Sequence, residues 1–239
     1  MTSRIADLSQ QKAAKIAGFL YLVIIIAGIF AEFFVRSSLI VAGDATATAN
    51  NIAASEGLFR AGIAADMVMI MCDVAVALLF YVLFKPVSKS LALLAAFFRL
   101  AQAAVLGINL LNLFFVLQLL GGAGYLAVFG LDQLQAFVLL FLGAHSIGYS
   151  IGLVFFGVHC LILGYLVFKS GYFPRILGVL LMFASLGYLI DSFANFLLLN
   201  YEAYETIFSL VVFVPAFIAE LSFCLWLIFK GAKIPETKS

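Results

Sequence analysis

The sequence predicts an all-α integral membrane bundle of six transmembrane helices with both termini cytoplasmic, and three observations carry that prediction. The 239-residue chain is 66% hydrophobic and 10% charged, with a mean hydropathy of +1.21. Ordinary soluble domains are roughly 45–50% apolar and about 25% charged. The apolar residues gather into runs long enough to cross a hydrocarbon core of about 30 Å. The basic residues gather at the ends of alternate runs, the pattern expected when Lys and Arg stay on the cytoplasmic side. A net charge of +1 gives no reason to expect nucleic acid or another polyanion as partner. Residues 1–239 are read as one transmembrane helical domain.

The elements follow in order. A polar segment with Arg4, Lys12 and Lys15 precedes the first span, residues 16–35. That span is too long for the apolar core of a signal peptide and carries Glu32 near its end, so it is read as an uncleaved helix. Residues 36–57 are too polar to span. Asp44 suits an N-cap, residues 45–55 favour a helix and Gly57 suits its close, which places a short helix at the outer surface. Residues 58–84 form the second span and 91–120 the third, joined by the basic turn Lys85-Pro86-Val87-Ser88-Lys89. Asp132 with Gln135 three residues later resembles a capping box, and a helical pattern then runs to Phe168. Some 36 residues make about 54 Å of helix, so this fourth span projects from the membrane or bends, with the bend expected between Gly143 and Gly148. Pro174 suits the first turn of the fifth span, which ends near Leu199, and residues 207–229 form the sixth.

Orientation comes from counting. The N-terminal segment, the Lys85 turn, the Lys169 turn and the tail hold ten basic residues, and the opposite side holds Arg36 and Arg60. The thirteenth, Arg99, lies inside a span. Six crossings with cytoplasmic termini satisfy every loop at once.

Polar residues inside the spans point to function, because a bilayer core makes them expensive unless they face protein or a cavity. Short turns make neighbouring helices antiparallel, so depth can be counted from the turn. That count sets Asp73 beside Arg99 and Gln102, and Asp66 beside Asn109, with Asn112 on the same face. His159 and Glu220 fall at the depth of Asp73, whereas Glu32, Asp191 and Asn195 fall with Asp66 in the outer half. The expectation is an inner layer of Asp73, Arg99, His159 and Glu220, and an acidic outer layer of Glu32, Asp66 and Asp191 with the asparagines. These residues would either line a cavity for a small polar solute, ion or proton, or bond one another and lock the helices. Pro215, five residues before Glu220, frees the carbonyl of Val211 and would kink the sixth span or be tolerated there.

Weaker signals remain. Cys72, Cys160 and Cys224 sit in apolar runs without metal-type spacing and read as small buried residues. His145 and His159 are fourteen apart, a spacing found in haem-binding bundles, but the chain offers no further histidine as axial ligand. A metal such as zinc on His145 with Glu32, Asp66 or Asp191 is a second reading, and no cofactor is predicted. Ser146 and Ser150 near His145 lack a third orienting group for a hydrolase. Gly148 and Gly152 form a GxxxG pattern that serves close packing within the bundle or a homodimer.

Several stretches together resemble a family of bacterial multi-spanning membrane proteins known as a domain of unknown function, number 4386. They are Gly18-Phe19-Leu20-Tyr21 through Glu32, Glu56-Gly57-Leu58-Phe59-Arg60 with Asp66, Cys72-Asp73, Ala95-Ala96-Phe97-Phe98-Arg99, and residues 171–178 from Gly171 to Gly178. The resemblance implies a protein of the bacterial inner membrane and no particular activity. From the residues alone, the leading reading is a transporter-like or ligand-binding protein, with Glu220 and Asp73 responsive to protons or cations and Arg99 as counter-ion. The rivals are an intramembrane metal-assisted hydrolase using His145 and an accessory membrane subunit without a ligand.

Overall fold

The computed structural model describes residues 9–232, and among these every regular element is helical. The polar ends, with Arg4, Lys233 and Lys238 of the orientation count, lie outside the described residues. We number the helices α1 (Gln10–Leu39), α2 (Ala45–Ala54), α3 (Glu56–Phe84), α4 (Lys89–Leu120), α5 (Leu131–Ser170), α6 (Arg175–Leu197) and α7 (Glu205–Phe229). All but α2 are long and apolar enough to cross a membrane, which gives the six expected spans.

Local chemistry explains most boundaries. Asp44 caps α2 as its side chain predicts, with its carboxylate accepting from the Ala47 amide at 2.8 Å. Gly57 does not close that helix; Ser55 ends it, and Gly57 already lies in the first turn of α3. The cap of α5 also differs from expectation. The helix starts two residues early, and the Gln133 side chain reaches back to accept from the Gly130 amide at 2.9 Å. That is the glutamine half of a capping box set on Gly130. Asp132 stays in the first turn, where its charge suits the helix dipole, and Gln135 is buried, accepting from the Thr46 hydroxyl of α2. Pro174 stands at the N-cap of α6, one position before the expected first turn.

Two spans depart from simple expectation. The α1 span is an α-helix only to Ile29; Phe30–Arg36 is π-helical, with the Ser37 amide donating to the Glu32 carbonyl, and one α turn follows. The helix therefore continues past the polar residues that were assigned to a loop. Conversely, α5 is one unbroken helix of 40 residues, with no break between Gly143 and Gly148. Gly148 serves instead as a notch, since a Cβ there would overlap the Asn109 side chain. Pro215 likewise leaves α7 unbroken; the Val211 carbonyl it frees faces Gly187 of α6, where a Cβ would sit 3.4 Å from that oxygen.

The described residues divide into two compact units. The first holds α1 as far as Val23, α3 from Cys72, α4 as far as Gln102, α5 from Leu153, and all of α6 and α7. Small residues set its closest helix approaches. Gly164 of α5 and Gly178 of α6 face one another so tightly that a Cβ on Gly164 would lie 2.7 Å from the Gly178 carbonyl. Gly18 of α1 meets Leu227 and Ile228 of α7, and the Cys224 thiol donates to the Gly18 carbonyl at 3.2 Å. Such close approach is how membrane helices gain packing energy in the absence of water. All three cysteines are free thiols; Cys160 and Cys224 are buried as expected, whereas Cys72 is only half-buried.

The second unit holds the rest of α1, α2, α3 as far as Met71, α4 from Ala103 and α5 as far as Gly152. Its close contacts also rest on glycine. Gly62 of α3 admits Val35 of α1, with a Cβ position 2.9 Å from the valine side chain, and Gly152 of α5 admits Leu106 of α4.

Candidate ligand site

Each unit contains one cluster of buried ionisable side chains, and the two differ chemically. In the first unit Arg99 is wholly buried. Its Nη2 donates to Asp73 Oδ1 at 2.5 Å, and its Nη1 donates to His159 Nε2 at 3.1 Å. A guanidinium can only donate, so Nε2 is the accepting nitrogen of a neutral imidazole. Its Nδ1–H then donates to the Ala95 carbonyl at 2.8 Å, which fixes the tautomer. Asp73 Oδ2 accepts from Gln102 at 3.3 Å. The guanidinium also lies 5.3 Å from the ring centres of both Tyr21 and Phe156, a cation–π contact that helps hold an arginine away from water. Phe80 and Phe156 stack on the His159 ring. Both Asp73 oxygens and both terminal nitrogens of Arg99 are thus taken among aromatic rings, while Arg99 Nε and Gln102 Oε1 stay buried with no hydrogen-bond partner among the described residues.

The Asp73–Arg99 pair and the place of His159 beside it agree with the depth count. Glu220 is nearby in a different way. Its carboxylate accepts from the Tyr188 hydroxyl at 2.5 Å, and Tyr21, whose ring faces Arg99, has a buried hydroxyl with no hydrogen-bond partner among the described residues. Neither Tyr188 nor Tyr21 was singled out from sequence, because a tyrosine in an apolar run reads as an ordinary aromatic residue.

The second unit centres on Arg36, which the sequence placed in an outer loop. It is a buried helical residue in the π-helical stretch. Its Nη1 donates to Asp66 Oδ2 at 2.6 Å and its Nε to Glu32 Oε2 at 2.8 Å. The Gly62 notch brings α1 and α3 together one turn before Asp66, and Arg36 directly follows the Val35 side chain that fills that notch. The legible signals were the four-residue spacings Glu32–Arg36 and Gly62–Asp66.

Beside this pair runs a tight seam between helices, with no room for a water molecule. Asp66, Met69 and Ile70 of α3, Leu106, Asn109 and Leu110 of α4, and His145 and Tyr149 of α5 line it. Spacings of three and four put each set on one helix face. Asn109 donates to the His145 carbonyl at 2.8 Å and accepts from Asn112 at 3.0 Å, so the asparagines brace the wall. Asp66 is 2% exposed, and its Oδ1 has no hydrogen-bond partner among the described residues. The His145 ring is buried against Tyr149 and receives no hydrogen bond from the described residues.

The expected outer layer therefore forms only in part. Glu32, Asp66, Asn109 and Asn112 come together in the second unit. Asp191 belongs to the first, where it accepts from the Tyr201 hydroxyl at 2.6 Å, and half-buried Asn195 lies one turn further along α6. Counting depth from turns gives height along a helix but not direction around it. Among the described residues no three His, Cys, Asp or Glu side chains gather as a metal site would require. Ser150 donates to the Ser146 carbonyl of its own helix, the usual back-bond of a helical serine. Gly148 and Gly152 both receive α4 side chains of the same chain.

Six apolar helices with ionisable groups paired off in their interior define a polytopic α-helical membrane protein. Comparison with known proteins makes this specific. The model of the domain of unknown function DUF4386 matches residues 16–231, and the chain belongs to that family. It is also 33% identical over 171 residues to an uncharacterized protein of Archaeoglobus fulgidus, an alignment covering 72% of this chain and 84% of the relative. No solved structure matches it.

Proposed function

We propose that this is a transporter-like, small-ligand-binding protein of the bacterial cytoplasmic membrane, with both termini in the cytoplasm. The orientation rests on the distribution of basic residues, ten in the N-terminal segment, the two basic turns and the tail against Arg60 on the other side, Arg36 being buried within α1. A cysteine placed at Ser239 is expected to react with a membrane-impermeant maleimide only after the cells are opened. Labelling of intact spheroplasts would reverse the orientation.

The ligand-binding reading rests on one observation. Both clusters keep a buried atom without a partner, but only in the Arg36 cluster is it a carboxylate oxygen, Asp66 Oδ1, which lies at a seam of α3, α4 and α5 that would open to admit a ligand. A buried polar atom without a partner costs about 1–3 kcal/mol, and structures that retain one commonly use it. A ligand that binds only the folded state raises its stability by mass action. In detergent, at least one small polar solute from a panel spanning cations, anions and neutral molecules is expected to raise the melting temperature saturably. Ile70→Phe, which adds bulk at the seam beside Asp66, is expected to abolish that rise. If no solute stabilises the wild-type protein, the reading is wrong.

A further inference from the structure

We propose that the connection between α4 and α5 is a membrane-interface anchor. It sits among the phospholipid headgroups of the leaflet opposite Lys89, the outer leaflet in the orientation given above. A mismatch with water carries the proposal. Residues 121–130 join two spans within the second unit, yet the chain has no charged residue between Arg99 and Asp132. The connection is folded. Gly124–Val128 is a 3₁₀ turn in which the Leu126 amide donates to the Ala123 carbonyl at 2.8 Å, and the Phe129 amide donates to the Leu126 carbonyl at 3.0 Å. Leu126 is buried, and the Phe129 ring meets Phe137 of α5 edge-on at 5.6 Å. On this base Tyr125, Val128 and Leu131 project outwards, 68%, 82% and 70% exposed. Three considerations favour lipid as what covers them. The first is contrast: the connection between α1 and α3 in the same unit exposes Asp44, Thr46, Asn50 and Glu56, an ordinary hydrated surface. The second is depth. From Lys89 the 32 residues of α4 rise about 48 Å, and a bilayer with its headgroups is about 40–45 Å thick. A helix that begins beside one set of headgroups therefore ends at the other, where tyrosine and apolar side chains settle. The third is size. A few side chains fall far short of the roughly 1,200–2,000 Å² that a stable protein interface buries. The anchor holds the ends of α4 and α5, two of the three helices that border the seam beside Asp66.

The chain has a single tryptophan, Trp226, so Trp226→Phe gives a tryptophan-free background in the full-length protein. On it Val128→Trp reports the proposed anchor, and Asn50→Trp, on the exposed side of α2, reports the hydrated surface. Each protein is placed in phosphatidylcholine nanodiscs, with plain lipid or with lipid brominated near the glycerol end of its acyl chains. Tryptophan fluorescence is then read with and without iodide in the buffer. Val128→Trp is expected to lose more intensity to the brominated lipid than Asn50→Trp does, and less to iodide. Tyr125→Trp carries the same test should Val128→Trp fail to fold. A loss to brominated lipid no greater than that of Asn50→Trp, or a greater loss to iodide, would put the connection in water and overturn the proposal. Loss to neither quencher would mean that protein covers this surface, and would overturn it as well.

Discussion

Arg99→Ala is expected to destabilise the protein by about 3–5 kcal/mol, the usual cost of removing one partner from a buried ion pair. The loss exceeds that of an ordinary large-to-small change because three groups are stranded together. Asp73 keeps a buried charge with only the Gln102 amide to answer it, His159 Nε2 loses its donor, and the aromatic pocket of Tyr21 and Phe156 empties. The second substitution decides whether the pairing is the cause. Replacing both members, as Asp73→Leu with Arg99→Met, removes both charges and keeps most of the volume, and such replacements of buried pairs are often close to neutral. Here the double variant still leaves His159 Nε2 without its donor, a loss it shares with Arg99→Ala, and it adds only an unpartnered Gln102 amide, at about 1–3 kcal/mol, in place of the stranded Asp73 charge. It is therefore expected to fall between wild type and Arg99→Ala. Unfolding by SDS in mixed micelles measures all three. A double variant less stable than Arg99→Ala would show that the charges are not balancing one another.

How far this arrangement was legible depends on which dimension of the structure a pattern reports. Hydropathy reports apolar length, and the six spans came from it within a few residues. Turn length reports antiparallel neighbours, so Asp73 and Arg99, at similar distances from the Lys85 turn, could be paired. The same count could not exclude Asp191 from the Asp66 group, because distance along a helix says nothing of which neighbour the side chain faces. Arg36 was misplaced for a different reason. A charge at the end of an apolar run reads as the start of a loop, and only the π-helical continuation, with Gly62 opening room beside Val35, turns it inward.

Glycine misled in the other direction. Gly143 and Gly148 inside a segment longer than the membrane looked like a hinge, because glycine weakens an isolated helix by about 1 kcal/mol relative to alanine. In the structure Gly148 is the point where the Asn109 side chain approaches α5 and donates to the His145 carbonyl. The missing Cβ makes room for a tertiary contact, and the intrahelical bonds on either side carry the helix through. The sequence signal for a hinge and for a notch is the same residue; what separates them is a polar partner on the facing helix, here Asn109.

The Arg36 cluster yields the second large effect, and it is expected to be lopsided. Arg36 is buried and answers two carboxylates, but they stand in different surroundings: the Asp66 side chain is 3% exposed and that of Glu32 is 54% exposed. Arg36→Ala therefore strands Asp66, whose Oδ1 is already without a partner, leaving a carboxylate buried with neither oxygen answered. A loss of about 3–5 kcal/mol is expected. Glu32→Gln removes the other ion pair yet keeps an acceptor for Arg36 Nε, and exposed pairs contribute only about 0–1 kcal/mol. The π-helical stretch sharpens the contrast, since Glu32 and Arg36 lie on the same irregular turn and their contact is local, while Arg36–Asp66 fastens α1 to α3. Unfolding of the two single variants in the same micelles is expected to rank Arg36→Ala far below Glu32→Gln, with Glu32→Gln within about 1 kcal/mol of wild type. Asp66→Asn, which keeps the shape and one acceptor oxygen, should lie between them. Equal losses from Arg36→Ala and Glu32→Gln would mean that the Arg36–Asp66 bond does not hold these helices together.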